Sequence, residues 1–183
     1  GTGAAAAGGA RAGRMTRLTG LAPLVSDETV VLILGSFPGG QSLARRQYYA
    51  HPQNHFWPLL EAIWPASPHA DCVDRYEIRS KWLLARGLGL WDVYAECEHE
   101  GSLDANIRDP RVNDLAALVR RLPKLQAIAH NGGESFRHAR HTRALGLPVY
   151  RLPSSSAANA SWRFERKLAA WREVFAASGV AHG

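Results

Sequence analysis

The stretch Thr29-Val30-Val31-Leu32-Ile33-Leu34-Gly35 is a short, unbroken apolar run stopped by glycine. A run of that length, rich in β-branched residues, reads as a strand buried on both faces, as in a parallel sheet, rather than as a helix. Three segments repeat the pattern downstream: Leu88 to Tyr94, Leu125 to Ala129, and Val149 to Leu152, the last ended by Pro153. Between them the spacing turns helical. From Asn54, a good N-cap, Phe56, Trp57, Leu60, Ile63 and Trp64 recur at threes and fours. Tyr76, Trp82 and Leu83 stripe a helix over 73–86, and Asn113 or Asp114 caps another that runs to Arg121. Residues 134–145 read as helical, and Trp162, Leu168, Trp171 and Phe175 mark a last helix from Ser161. The residues from Gly35 to Gln53, with Pro38, Gly39, Gly40 and Pro52, read as one long loop. Strands alternating with helices imply an α/β fold with three α/β/α layers around a central, mostly parallel four-stranded sheet. Ligands of such sheets sit at the carboxyl ends of the strands. That rule gathers the loops after Leu34, Tyr94, Ala129 and Leu152 around one cleft.

The 183 residues suit one domain over 15–183, preceded by a low-complexity tail, Gly1 to Arg14, which lacks the apolar centre of a secretory signal. No apolar run approaches the roughly 20 residues that span a bilayer, so a cytoplasmic protein, nucleoid-associated when bound to DNA, is expected, and it is expected to be a monomer. Two cysteines, Cys72 and Cys97, cannot build a disulfide framework or a four-thiolate cluster. The net charge of +6 is unevenly placed. From Glu134 to Arg172 the acidic residues are Glu134 and Glu165, whereas Arg137, Arg140, Arg143, Arg151, Arg163, Arg166, Lys167 and Arg172 are basic. That segment carries the whole excess. Arginine's planar fork suits phosphate oxygens, so the segment fits a polyanion partner as well as it fits a solvated basic face.

Several chemistries have no support. No G-x-x-x-x-G-K-[ST] loop is present, and Gly35-Ser36-Phe37-Pro38-Gly39 follows a strand but matches neither a dinucleotide fingerprint nor a nucleophile elbow. His51 and His55 are four apart, yet Pro52 argues against one helix face, and no other spacing resembles a metal site. A Ser/His hydrolase using Ser36 or Ser154 stays open, although serines after strands are more often turn formers. The segment Gln47-Tyr48-Tyr49-Ala50-His51-Pro52-Gln53-Asn54-His55-Phe56-Trp57 is unusual: four aromatics alternate with amides and imidazoles. A flat heterocycle needs ring faces to stack on and donors at its edge, and this segment supplies both. Phe56 and Trp57 belong to the core, whereas burial does not readily account for Tyr48 and Tyr49.

Three motifs in order, Gly35-Ser-Phe-Pro-Gly39, Tyr49-Ala-His-Pro-Gln-Asn-His-Phe-Trp57 and Leu152-Pro-Ser-Ser-Ser156, resemble the uracil-DNA glycosylase superfamily, nearest its hypoxanthine (deoxyinosine) branch. Leu90-Trp-Asp-Val93, Gly101-Ser-Leu-Asp104 and His130-Asn-Gly132 extend the resemblance, which runs from about Val30 to Trp171. It implies a glycosylase that flips a deaminated base from DNA, without a cofactor or metal. Mismatch-specific relatives read G-I-N-P-G in the first motif, where the Asn positions water; Phe37 stands there in this chain. Many relatives place a His before the proline of the last motif; Leu152 stands there. The resemblance therefore shifts the catalytic burden to Asn54, with Ser36 as a second catalytic candidate. It makes Tyr49 the aromatic that stacks on the base, with Phe37, His51 and Asn131 as further base-binding residues. Ser154, Ser155 and Ser156 are the expected duplex-inserting loop, and Arg163, Arg166 and Lys167 the expected phosphate contacts. No lysine lies in the cleft loops after the four strands, so a Schiff-base lyase step lacks a nucleophile. The competing reading from another class is a non-catalytic binder of single-stranded or abasic DNA.

Overall fold

A computed structural model describes residues 16–67, 75–99, 107–159 and 161–180. The tail Gly1 to Arg14, Cys72 and the segment Gly101 to Asp104 lie outside the described residues. The central sheet holds β2 (Val31–Gly35), β3 (Leu88–Asp92), β6 (Ala127–Asn131) and β7 (Val149–Leu152) in the order β3-β2-β6-β7, with every pairing parallel. The expected four-stranded parallel sheet is therefore present. All five residues of β2 are buried, as are all five of β6, which is why their sequences run apolar without alternation.

Helices cover both faces. On one face Val31, Ile33, Leu88, Leu90, Ala127 and Ala129 pack under α2 (Phe56–Ile63), α3 (Arg75–Ala85) and α7 (Phe164–Ala177), where Trp64, Trp171 and Phe175 are fully buried. On the other, Leu32, Leu34 and Ile128 meet Leu115 and Leu118 of α4 (Leu115–Arg120) together with Leu122 and Leu125. Asp114 caps α4 by accepting from the Ala117 N–H at 3.0 Å.

Four expectations change. The loop after β2 contains a short helix, α1 (Gly40–Arg45), which its paired glycines concealed. The segment 134–145 is two short helices, α5 (Gly133–Phe136) and α6 (Ala139–Arg143), broken at His138. That break sets His138 Nε2 2.9 Å from the Tyr94 hydroxyl, which also donates to Glu134 at 2.7 Å. The last helix begins at Phe164, not Ser161, behind an extended Arg163. Finally, β1 (Thr16–Thr19), β4 (Tyr94–His99) and β5 (Ile107–Val112) form a second, antiparallel sheet in the order β1-β4-β5. These strands are largely polar and β5 contains Pro110, so neither periodicity nor an apolar run announces them.

Behind the cleft, His130 is fully buried between two hydroxyls. Ser135 donates its own proton to the Leu34 carbonyl at 2.7 Å, so His130 Nδ1–H donates to Ser135 at 2.8 Å, while Nε2 lies 2.8 Å from the Thr142 hydroxyl, whose one proton is shared with the Ala139 carbonyl at 3.1 Å. Burial is the main reason this imidazole is pushed down to about 4 and stays neutral. The unfolded chain regains a His near 6.5, so this group's stabilisation is present above pH 6.5 and is lost as the pH falls through 4. The loss should reach on the order of 2–3 kcal/mol by pH 4. Urea midpoints between pH 7 and 4 should fall less steeply in His130→Asn than in the parent. Parallel slopes would remove His130 from the acid transition.

Candidate active site

The carboxyl ends of the four parallel strands bring Gly35, Asp92, Asn131 and Leu152 to one edge, with Gly35 opposite Asp92 and Asn131 opposite Leu152 in register. Gly35 is required there, because a Cβ would sit 2.5 Å from Asp92 Oδ1 and 3.4 Å from the Tyr49 hydroxyl. A buried carboxyl group and a phenol therefore converge on the last residue of the central strand. Asp92 lies within the Leu90-Trp-Asp-Val93 motif, and its place at a strand's carboxyl end is the sequence signal that points to it.

Tyr49 is held on several sides. Its ring stacks on Phe56 with centroids 4.1 Å apart, and its oxygen accepts from Asn131 Nδ2 at 3.1 Å. Its backbone is left-handed, φ 55°, an uncommon state for a bulky residue that persists only where surrounding contacts impose it. Tyr48 differs from expectation. It is 5% exposed, its hydroxyl donates to the Ala22 carbonyl, and burial pushes the phenol well above its usual range, so it is a core residue.

Asn54 lies at the mouth of α2. Its backbone N–H donates to the His51 carbonyl, and its Oδ1 accepts from the Phe56 N–H at 2.9 Å. His55 rather than Asn54 is the N-cap residue by backbone geometry, but it has no side-chain cap bond, so the asparagine does the capping from one position earlier. A donor N–H requires the oxygen end of the amide, which settles the orientation of the group. The Nδ2 amino group then has no hydrogen-bond partner among the described residues.

The serine segment is more confined than a duplex-inserting loop would be. Ser155 is 1% exposed; its N–H donates to Asn131 Oδ1, and its hydroxyl oxygen accepts from Asn131 Nδ2, each at 3.0 Å. Ser154 and Ser156 are half-buried, and the exposed tip is Ala157-Ala158. Ser155 is thus structural, because its polar groups are bonded inside the protein. The same bonds correct the expectation for Asn131. Both N–H groups of its amide are engaged, one on Tyr49 and one on Ser155, so it brackets the cleft and has no donor left for a base.

Four further site candidates, His51, Phe37, Ser36 and Lys167, have surroundings that the sequence did not foretell. His51 is exposed and its Nδ1 accepts from the Gln53 N–H, so it shapes its own turn. Phe37 is 9% exposed within the core cluster under α4, and Ser36 beside it is 8% exposed. Lys167 is fully buried, its Nζ 3.1 Å from both His55 Nδ1 and the Ser156 carbonyl, and cannot be a surface phosphate contact. Burial lowers both partners from their usual range, and the Lys167 charge lowers His55 further. Arg163 and Arg166 are exposed, as expected, and Arg166 lies 3.9 Å from the Trp162 ring centre. Ser154 Oγ accepts from the Ser156 N–H and has no histidine partner among the described residues, which leaves it without the base a hydrolase needs.

Other features lie elsewhere or are absent. A cleft of about 420 Å³ lies at the opposite, amino-terminal end of the strands, lined by Ser26, Glu28, Val30 and residues 84–87, and holds none of the motif residues. Among the described residues no cluster of His, Cys, Asp and Glu could hold a metal, and no helix is long and apolar enough to cross a membrane.

Comparison with known proteins agrees with this arrangement. The family model for the uracil DNA glycosylase superfamily matches residues 22–175. Two curated proteins described as hypoxanthine DNA glycosylase are similar to the chain. The one from Methanosarcina barkeri is 36% identical over 156 residues, covering 85% of this chain and 96% of its own. The one from Methanosarcina acetivorans is 38% identical over 155 residues, covering 84% and 95%. A solution NMR structure of a candidate uracil DNA glycosylase from Methanosarcina acetivorans superposes with a TM-score of 0.77 at 33% identity, covering 89% of this chain and 99% of that one. Matched by the family model over most of its length and by relatives that it covers almost end to end, this chain belongs to the uracil DNA glycosylase superfamily.

Proposed function

We infer that the protein is a monofunctional DNA glycosylase that hydrolyses the N-glycosidic bond of a deaminated base, hypoxanthine first and uracil second, and leaves an abasic site. The observation that carries this reading is the Asn54 amide, whose oxygen is fixed by the Phe56 N–H and whose amino group has no partner among the described residues. Bond cleavage passes through an oxocarbenium-like sugar and a base anion. An amide is too weak a base to take a proton from water, but an oriented N–H₂ can donate to the departing base where its charge develops. The stacked Tyr49–Phe56 pair supplies a rigid platform for a flipped ring. Water is left to attack the sugar carbon from the other face, and no covalent intermediate is needed.

Base release from a panel of duplexes holding inosine, uracil or xanthine tests the reading. Alkali-sensitive abasic sites should appear first and fastest with inosine. Binding to these duplexes without any abasic product would instead favour the non-catalytic module. Arg163 and Arg166 serve as phosphate contacts, which gives a separate expectation. Log K for duplex should fall with log[salt] at a slope of about −3 to −4. Replacing both arginines with Ala should flatten that slope by up to about two units. A slope near zero in the parent would make the basic face a solubilising one.

A further inference from the structure

Lys167 is a fully buried charge, and the chemistry above does not use it. Its surroundings tie three separate elements together. On α7, Phe164 and Lys167 are three residues apart and grip one imidazole. The Phe164 ring meets His55 edge-on at 5.4 Å, and Lys167 Nζ lies 3.1 Å from His55 Nδ1. An ammonium has three donors and no acceptor, so Nδ1 must accept and the imidazole proton must sit on Nε2. The same ammonium donates to the Ser156 carbonyl at 3.1 Å.

One turn further along α7, Trp171 Nε1 donates to the Pro153 carbonyl at 3.0 Å, and the His55 backbone N–H donates to the Ser155 carbonyl at 2.8 Å. Asn159 Nδ2 reaches the Ser154 carbonyl at 3.4 Å. Four successive carbonyls of the serine segment are therefore held from outside the segment's own backbone, two of them by α7. His55, which follows Asn54 directly, is bonded from the same helix and to the same segment.

We propose that Lys167 is a positioning residue of the glycosylase site. Its ammonium, bonded to His55 Nδ1 and to the Ser156 carbonyl, locks the Asn54 turn to the serine segment, so that the Asn54 amide is already aimed when a flipped nucleotide enters. The inference rests on the reading of Asn54 as the group that acts on the base. A lysine fits this place because it bridges two acceptors on different elements at once. A neutral side chain of similar length fills the volume but leaves His55 Nδ1 without its donor and the Ser156 carbonyl with the Asn159 N–H alone, and frees the imidazole to turn over.

Imidazole ¹⁵N spectra of the intact protein test the geometry without any variant. His55 should show an unprotonated, acceptor-type Nδ1 and a protonated Nε2; the reverse tautomer overturns the proposal. Lys167→Met tests the consequence. Its single-turnover rate of hypoxanthine release should fall by about tenfold to a hundredfold, the scale on which small misplacements act. Its affinity for a duplex with an uncleavable inosine analogue should stay within about twofold, and its salt slope should be unchanged. A slope reduced by about one unit with the rate intact would make Lys167 a phosphate contact and overturn the proposal. A lower unfolding midpoint with rate and affinity intact would make it structural only, and overturn it equally. If Lys167→Met does not fold, His55→Phe removes the same bridge from the other end and should show the same loss of rate at unchanged affinity; an unchanged rate there overturns the proposal. Asn54→Ala run beside them separates the two readings: an inactive Asn54→Ala with a fully active Lys167→Met defeats the positioning role alone. A fully active Asn54→Ala defeats the reading of Asn54 and, with it, the positioning role.

Discussion

Asn54→Ala is expected to lower the single-turnover rate of hypoxanthine release by about a hundredfold or more, the usual loss for one oriented transition-state donor. Affinity for an uncleavable duplex should change little, because phosphate contacts dominate it. The variant also loses the acceptor for the Phe56 N–H, so about 1 kcal/mol of stability should go with it. Asn54→Asp separates the two losses. A carboxylate still accepts from Phe56, so stability should return to the parent's. The amino donor is gone and a negative charge faces the departing base anion, so the rate should stay at least as low as in the alanine variant. Single-turnover kinetics with urea unfolding of the same samples would check both. Rates within about threefold of the parent for both variants would take Asn54 out of the mechanism, since a tenfold change is about 1.36 kcal/mol of barrier.

Asn131→Ala should have the largest effect on stability. The side chain is 9% exposed and makes three bonds: it accepts from the Ser155 N–H and donates to the Ser155 and Tyr49 oxygens. Truncation leaves a buried N–H without a partner and takes a donor from the Ser155 and Tyr49 hydroxyls, and a buried group left unsatisfied costs about 1–3 kcal/mol. A total of about 3 kcal/mol is expected, read as a shift of the urea midpoint at unchanged slope. Base release should fall about tenfold or more on folded protein, because Tyr49 and the serine segment lose their common tie. Asn131→Asp keeps the acceptor toward Ser155 but neither donor, and should lie below the parent in stability. A shift under about 1 kcal/mol in Asn131→Ala would show that water takes over those bonds and that the bracket is not rigid.

Expectation and structure diverge at residues whose partners are distant in sequence. Lys167 sits in an arginine-rich run and carries the same charge as the arginines around it; only its register on α7, one turn before the buried Trp171, turns it inward toward His55, 112 residues away. Ser155 looks like any turn serine until Asn131, 24 residues earlier, takes both its N–H and its hydroxyl. Tyr48 and Tyr49 are adjacent and alike, yet one enters the core while the other turns toward Gly35 through a left-handed backbone. The second sheet was hidden for a different reason: its strands are short, polar and interrupted by Pro110, so pairing rather than pattern creates them.

The sequence by itself determined the layered α/β architecture, because runs such as Val31–Leu34 and Ala127–Ala129 bury both faces and can do so only between two helical layers. It also determined the edge at which chemistry is done, since the strand ends carry the motifs. The tertiary structure decided which motif residues have polar groups left for a ligand. A hydrogen-bond partner from another element removes a donor from the cleft as surely as deletion would. Asn131, Ser155 and Lys167 are bonded inward across 24 to 112 residues of chain, whereas Asn54 is capped locally and keeps its amino group.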